Sequence, residues 1–299
     1  MSYYDSIARQ WHAVTGYAGG AFKELVLNDV LIGKLPPLGG RAVLELGAGN
    51  GYFLPLALRR LGGQAAFHPL GSPLSAEDSP REGTKGHSVQ QSPGVQGRRD
   101  RRTEGVSPSA GGQTPARIVI SDQSGQLLSI ARRQFNLPSA EYLNLDVRGR
   151  FPFDDAQFDL IIASMLFNEL PERGLRSALG ECRRVLARDG LLLLTVLHPD
   201  FVNSLLTGGA IRREPDRAMT MPGAGSLRLP VVIRSEATYR SALAGAGFAC
   251  EAEPVFATEA VRSARPGLRN AGAAPVALVF MCRAATLPLP SHTPGPPPP

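Results

Sequence analysis

The sequence predicts an α/β fold in which helices cover both faces of an open, mostly parallel sheet. Three observations predict it. The run Val43-Leu44-Glu45-Leu46 has the length of a buried strand and breaks into Gly47-Ala48-Gly49-Asn50-Gly51, after which a helix-compatible segment begins. Further apolar runs of strand length follow, and Leu191–Leu197 is almost wholly apolar, as a strand buried on both faces should be. Segments with apolar residues at three- and four-residue spacing stand between those runs, and strands alternating with such segments make a parallel sheet.

A chain of 299 residues can bury a substantial core in one or two domains, and 43% apolar content suits a globular protein. No basic-apolar-small leader opens it, and no apolar run approaches the length of a membrane span, so no membrane partner is expected. The three cysteines, Cys182, Cys250 and Cys282, are far apart and show no C-x-x-C spacing. The expectation is reduced thiols, no metal centre and a cytoplasmic setting. The formal charge of +6 and a pI near 9.6 keep a nucleic-acid partner in view. Much of the local basic density is Arg98-Arg99-Asp100-Arg101-Arg102, inside a stretch of linker composition, and nucleic acid is not the favoured partner. A monomer or homodimer is expected.

The elements follow in order. Tyr3, Tyr4, Ile7, Ala8 and Trp11 fall at helical spacing, and Ala21–Leu27 begins a second helix, so residues 1–35 read as a helical region ahead of the main domain, 36–285. Strand one is Ala42–Leu46. Tyr52–Leu61 is the first sheet helix, with Pro55 tolerated inside its first turn. Its amino end sits at the glycine turn, where free N–H groups and the helix dipole favour an anion. From about 65 to 115 the pattern gives way to Ser, Pro, Gly, Gln and Arg, which predicts disorder. Gly62-Gly63-Gln64-Ala65 before this stretch is echoed by Gly111-Gly112-Gln113-Thr114 after it. Removing what lies between brings Asp122 to about 20 positions beyond Gly51, the spacing of a glycine turn and a ribose-binding acid. We read the stretch as an insertion in a surface loop, which the fold tolerates because loop-closure entropy grows slowly with length.

Strand two is Arg117–Ser121, ending at Asp122, whose carboxylate can accept both vicinal hydroxyls of a ribose. Gln123 flanks the same ligand, and Ser124 caps a helix with Leu127, Leu128, Ala131 and Phe135 on one face. Strand three is Glu141–Leu145, leading to Asp146-Val147. Phe151-Pro152-Phe153-Asp154-Asp155 is a turn feeding strand four, Phe158–Ser164, after which comes Met165-Leu166-Phe167-Asn168-Glu169. Pro171 opens a helix with a stripe of Leu175, Leu179, Cys182, Val185 and Leu186, and Gly190 is read as its stop. Cys182 is thus a core thiol. Strand five delivers His198-Pro199-Asp200-Phe201 to the same edge, and 201–234 shows no clear pattern. Thr238–Ala246 is a helix stopped by Gly247; Phe248–Glu253 and Val276–Cys282 are the closing strands. Residues 286–299 are a Pro-rich tail, read as disordered.

In Glu45 to Gly51, an acid followed by G-x-G-x-G, and in the Pro-Phe-Asp-Asp and Phe158-Asp159 passage, the chain resembles the class I S-adenosylmethionine-dependent methyltransferases that act on small molecules. The resemblance covers roughly 40–64 and 115–285. It implies a Rossmann-like three-layer α/β/α sandwich with a seven-stranded, mostly parallel sheet in the order 3-2-1-4-5-7-6, the last strand antiparallel. It implies S-adenosylmethionine as cofactor, bound by Glu45, Gly47, Ala48, Gly49 and Gly51 at the turn, by Asp122 and Gln123 at the ribose, by Asp146 and Val147 at the adenine, and by Ser164. It makes residues 1–35 a lid, with Tyr3, Tyr4 and Trp11 closing the pocket. It puts Asn168 and Glu169, which follow strand four, at the crevice where the acceptor should lie, in place of the His that many relatives carry there.

Methyl transfer from a sulfonium is a direct displacement that needs donor and acceptor held in line with water excluded. No metal or covalent nucleophile is required. A hydroxyl acceptor of high pKa needs a base, for which His198 is the candidate. The amino-group motif of DNA methyltransferases and the Pro-Cys nucleophile of the cytosine C5 type are both missing after strand four, which favours a small-molecule acceptor. A nicotinamide-dependent oxidoreductase and a non-catalytic S-adenosylmethionine-binding scaffold are the alternative readings.

Overall fold

The computed structural model of the protein describes residues 2–62, 114–135, 137–207, 212–213, 219–221, 227–264 and 274–285. The segment 65–113 read as an insertion and the tail 286–299 lie outside the described residues. The amino-terminal region is helical: α1 (Tyr3–Thr15), α2 (Gly20–Phe22), a π-helical turn (Lys23–Leu27) and α3 (Asn28–Gly33). Ser2 and Asp5 form a reciprocal capping box that starts α1.

The sheet begins with β1 (Ala42–Leu46), α4 (Phe53–Gly62), β2 (Arg117–Asp122), α5 (Gly125–Phe135), β3 (Ala140–Asn144) and β4 (Phe158–Ser164). A 3-10 turn (Phe167–Glu169), α6 (Glu172–Val185), β5 (Leu186–Leu197) and α7 (Pro199–Thr207) follow. Three short strands, β6 (Arg212–Arg213), β7 (Met219–Met221) and β8 (Leu227–Leu229), make a small antiparallel sheet. The chain closes with α8 (Glu236–Gly245), β9 (Phe248–Val255), α9 (Glu259–Ala264) and β10 (Ala277–Ala284). The main sheet runs β3-β2-β1-β4-β5-β10-β9. Strands β1 to β5 pair in parallel, and β10 lies antiparallel to both β5 and β9. This is the seven-stranded order expected from the sequence.

Alternation along the strands divides the core. Val43, Leu160 and Ile162 point to the face covered by α3, α4 and α7. Leu44, Leu46, Ile161 and Ala163 point to the face covered by α6 and α8. The turn before β4 is held by Arg184, which donates to the carbonyls of Phe151 and Phe153 and pairs with Asp155 and Glu181. Asp159 accepts from the Ala42 amide at 2.8 Å, fixing where β4 meets β1.

Several sequence expectations need correction. Helix α6 ends at Val185, not Gly190, because Leu186 turns extended and pairs with Phe158; Gly190 lies inside β5. Strand three is shifted by one residue, to Ala140–Asn144. The start of the stretch read as patternless is α7, with Phe201 and Val202 buried. Cys250 and Cys282 are not separate thiols: they stand opposite each other on β9 and β10 and form a disulfide. Cys182 is a free thiol in the core, its pKa pushed up by burial. Among the described residues, no helix is long and apolar enough to cross a membrane.

Candidate active site

The carboxyl ends of β1, β2, β3 and β4 open into one cavity of about 760 Å³. The turn after β1 is built by backbone that only glycine adopts easily, with φ of 61°, 60° and 72° at Gly47, Gly49 and Gly51. It is tied to β2, since the Ala48 amide donates to the Ser121 carbonyl at 2.9 Å. Asp122 completes the joint. Its Oδ2 accepts from the Gly49 amide at 2.8 Å and its Oδ1 from the Ser124 amide at 2.9 Å. The carboxylate thus stands between the glycine turn and the amino end of α5, at the cavity wall. Burial pushes its pKa up to about 6, against the pull of those two amides.

Of the residues expected from the sequence to hold a donor, Gly47, Ala48, Gly49, Asp122, Gln123, Asp146, Val147 and Ser164 line this cavity. Asp146 is clasped by its neighbour Arg148, at 2.6 Å from guanidinium to carboxylate, which holds its pKa below the ordinary range. Glu45 and Gly51 do not line it. Glu45 is buried beneath the turn, its pKa pushed up to about 8 by that burial. Gly51 serves packing: a β-carbon there would stand 2.5 Å from that of Ala131 on α5.

The three residues expected to face an acceptor separate. Glu169 lines the cavity. Asn168 is buried beside it, its carbonyl accepting from the Val232 amide at 2.6 Å. His198 is not among the lining residues; its Nδ1 accepts from the Asp200 amide at 3.2 Å and so caps α7, which explains why that helix starts at Pro199.

Helix α1 forms the remaining wall. Tyr4 Oη donates to Glu169 Oε2 at 2.5 Å, and Tyr3 Oη donates to the Arg228 carbonyl at 2.6 Å. Asp5 accepts from the Ser124 hydroxyl and the Gln126 amide at the start of α5. At its other end, Asn50 donates to the Gly16 carbonyl and to His12 Nδ1. The Tyr4 and Trp11 rings meet edge to face at 5.7 Å. Burial pushes the Glu169 pKa up to about 7, with the Tyr4 hydrogen bond and Lys23 opposing and Asp122 adding to the shift.

Sequence reasoning missed Lys23. Its ammonium stands 5.6 Å from the centre of the Tyr52 ring, facing the charges of Glu45, Glu169 and Asp122, and burial lowers its pKa. Its place directly after Phe22 in Phe22-Lys23-Glu24-Leu25 was the available signal. It also missed the strain at Met165, which lines the cavity with φ of 61° just after β4.

Residues 106–190 match the family described as a methyltransferase domain. No curated protein matches the sequence. Among solved structures, the fold resembles an S-adenosylmethionine-dependent methyltransferase from Mesorhizobium loti, with a TM-score of 0.54 at 18% identity over 90% of this chain and 100% of that one. A methyltransferase of Haloferax volcanii, solved in complex with the activator Trm112, gives 0.56 at 16% identity over 96% and 99%. The DhpI–SAM–HEP complex gives 0.53 at 18% identity over 94% of each chain.

Proposed function

We propose that this chain, which has the fold of the class I S-adenosylmethionine-dependent methyltransferases and a methyltransferase-domain match within it, binds S-adenosylmethionine in the cavity and methylates a small molecule. One observation carries the reading: the tips of β1, β2 and β3, with Gly47 and Gly49, Asp122, and Asp146, converge on one cavity. The residues present suit the donor. Asp122 offers a carboxylate to the ribose, Asp146 and Val147 bound the adenine, and Gln123 and Ser164 flank the ligand. Lys23 is the cation for the donor's carboxylate. Glu45 and Gly51 support the turn from behind rather than touching the ligand.

The donor supplies an activated methyl group on a sulfonium. What the chain adds is position and exclusion of water. Helix α1 covers the space and is hydrogen-bonded at both ends to the strand tips. Glu169 lies where it can take a proton from an acceptor, so we assign the base to it rather than to His198 or Asn168. The test has two parts. Calorimetry of the full chain with S-adenosylmethionine and S-adenosylhomocysteine should give heat for both. Incubation with methyl-labelled S-adenosylmethionine and a metabolite extract should then place label in a small molecule. No heat with either ligand overturns the reading; heat without any labelled product leaves a binding protein and overturns the transferase.

A further inference from the structure

We propose that the acceptor is an amine on a small apolar body, held as its ammonium by Glu169 beneath the Tyr4 and Trp11 rings and deprotonated by Glu169 before it is N-methylated. The inference rests on the donor reading above and names the substrate class for the same cavity.

The geometry places the acceptor. Tyr4 reaches Glu169, which follows β4, while Trp11 lies over the turn that follows β1: its Nε1 stands 3.3 Å from where a β-carbon on Gly49 would be. Tyr4 and Trp11 are two helical turns apart, about 10 Å along α1, and β1 and β4 are neighbours in the sheet. A molecule between Glu169 and the donor turn therefore lies under both rings. The rest of that wall is apolar, from Met165, Leu166, Leu170 and Pro171.

Charge then selects the class. The cations lining the cavity, among the described residues, are Lys23 and Arg148, and Arg148 is already paired with Asp146. The groups facing Glu169 are Tyr4 from α1, Lys23 from the π-helical turn and Asp122 from β2. With Lys23 taken by the donor's carboxylate and Asp122 by its ribose, Glu169 remains at the acceptor end beside the Tyr4 and Trp11 rings, a place that attracts a cation and repels an anion. Tyr4 donates to Glu169 Oε2 and so holds the carboxylate; we assign Oε1 to the ligand. An alcohol or phenol would leave the carboxylate without a positive partner.

The step balances. The Glu169 carboxylate takes one proton from the ammonium, and the freed nitrogen lone pair forms a bond to the methyl carbon. The carbon–sulfur bond breaks with its electron pair on sulfur, which becomes a neutral thioether. The product leaves as a methylammonium, and the Glu169 proton passes to solvent.

The test uses the full chain saturated with S-adenosylhomocysteine, titrated calorimetrically with matched pairs: 2-phenylethylamine against 2-phenylethanol, and cyclohexylmethylamine against cyclohexylmethanol. We expect the amine of at least one pair to bind ten times or more tighter than its alcohol. Glu169→Gln should abolish that preference while changing S-adenosylhomocysteine affinity less than twofold, and Tyr4→Phe should reduce it. The methylated product from an extract should carry its label on nitrogen. No amine preference in either pair, a preference that survives Glu169→Gln, or label on oxygen, sulfur or carbon overturns the inference. A fall in S-adenosylhomocysteine affinity matching the loss of amine binding would assign Glu169 to the donor and overturn it too. No heat with S-adenosylhomocysteine overturns the donor reading instead.

Discussion

Glu45 ends up almost fully buried, with one carboxylate oxygen lacking a hydrogen-bond partner, because the strand that carries it is central and the turn above it is closed. Burial raises this carboxyl from 4.5 to about 8 on folding, so the fold loses stability progressively as pH climbs between those two values and little more above them. Glu45→Gln removes the titration. The variant should gain on the wild type as pH rises from 5 to 9, by an amount on the order of a few kcal/mol at the alkaline end; thermal melts of both proteins across that range check it. Asp122 works in the other direction for binding. Its pKa near 6 means the ribose-accepting carboxylate is lost in acid. S-adenosylhomocysteine affinity should fall by up to about tenfold per pH unit below 6, and Asp122→Asn should flatten that fall in calorimetry. Asp122→Ala should weaken the ligand by about 1–3 kcal/mol, and it should also lower the melting temperature, since the Gly49 and Ser124 amides lose their acceptor.

Between elements, the contact that most constrains the site is that of the glycine turn with α5. Gly51→Ala puts a methyl group on the Ala131 side chain and asks alanine to hold φ near 72°. The expected cost is on the order of 2–4 kcal/mol, combining strain and overpacking. Adding Ala131→Gly relieves the overpacking but not the strain, so a double-mutant cycle by denaturant unfolding should show positive recovery that stops short of the wild type. Elements whose cause is local were legible: the Leu44–Leu46 run, the turn glycines and the Ser124 cap all act within a few residues. Elements whose cause is distant were not. The stop of α6 depends on Leu186 finding Phe158, and the start of α7 on a histidine side chain. The Cys250–Cys282 pair depends on strand register, which no spacing in the sequence reveals. Glu169 and Tyr4 were each legible as pocket candidates but their bond to each other was not, because the two are 165 positions apart.

Across the whole molecule, both faces of the sheet are covered, and the site is carried by the tips of β1–β4 with the segments that follow them, by α1 and by the π-helical turn that bears Lys23. The connection from α4 to β2 runs between elements already fixed by other contacts. Gly62 ends α4, and by Thr114 the chain is back against the entry to β1, with the Gly40 amide donating to the Thr114 carbonyl at 3.1 Å and the Ala116 amide to the Arg41 carbonyl at 2.9 Å. Five consecutive residue pairs then zip β2 to β1, starting at Ala42 and Arg117. The Gly-Gly-Gln copies at 62–64 and 111–113 show where a direct join would fall, and a short connection between a helix and a strand is the commonest length for such a loop. A chain lacking residues 65–113 should therefore melt within about 3 °C of the full protein, a shift worth less than about 2 kcal/mol at this size. It should bind S-adenosylhomocysteine within twofold. A larger drop in both would mean that the segment holds β2 against β1; a drop in affinity alone would mean that it reaches the cavity.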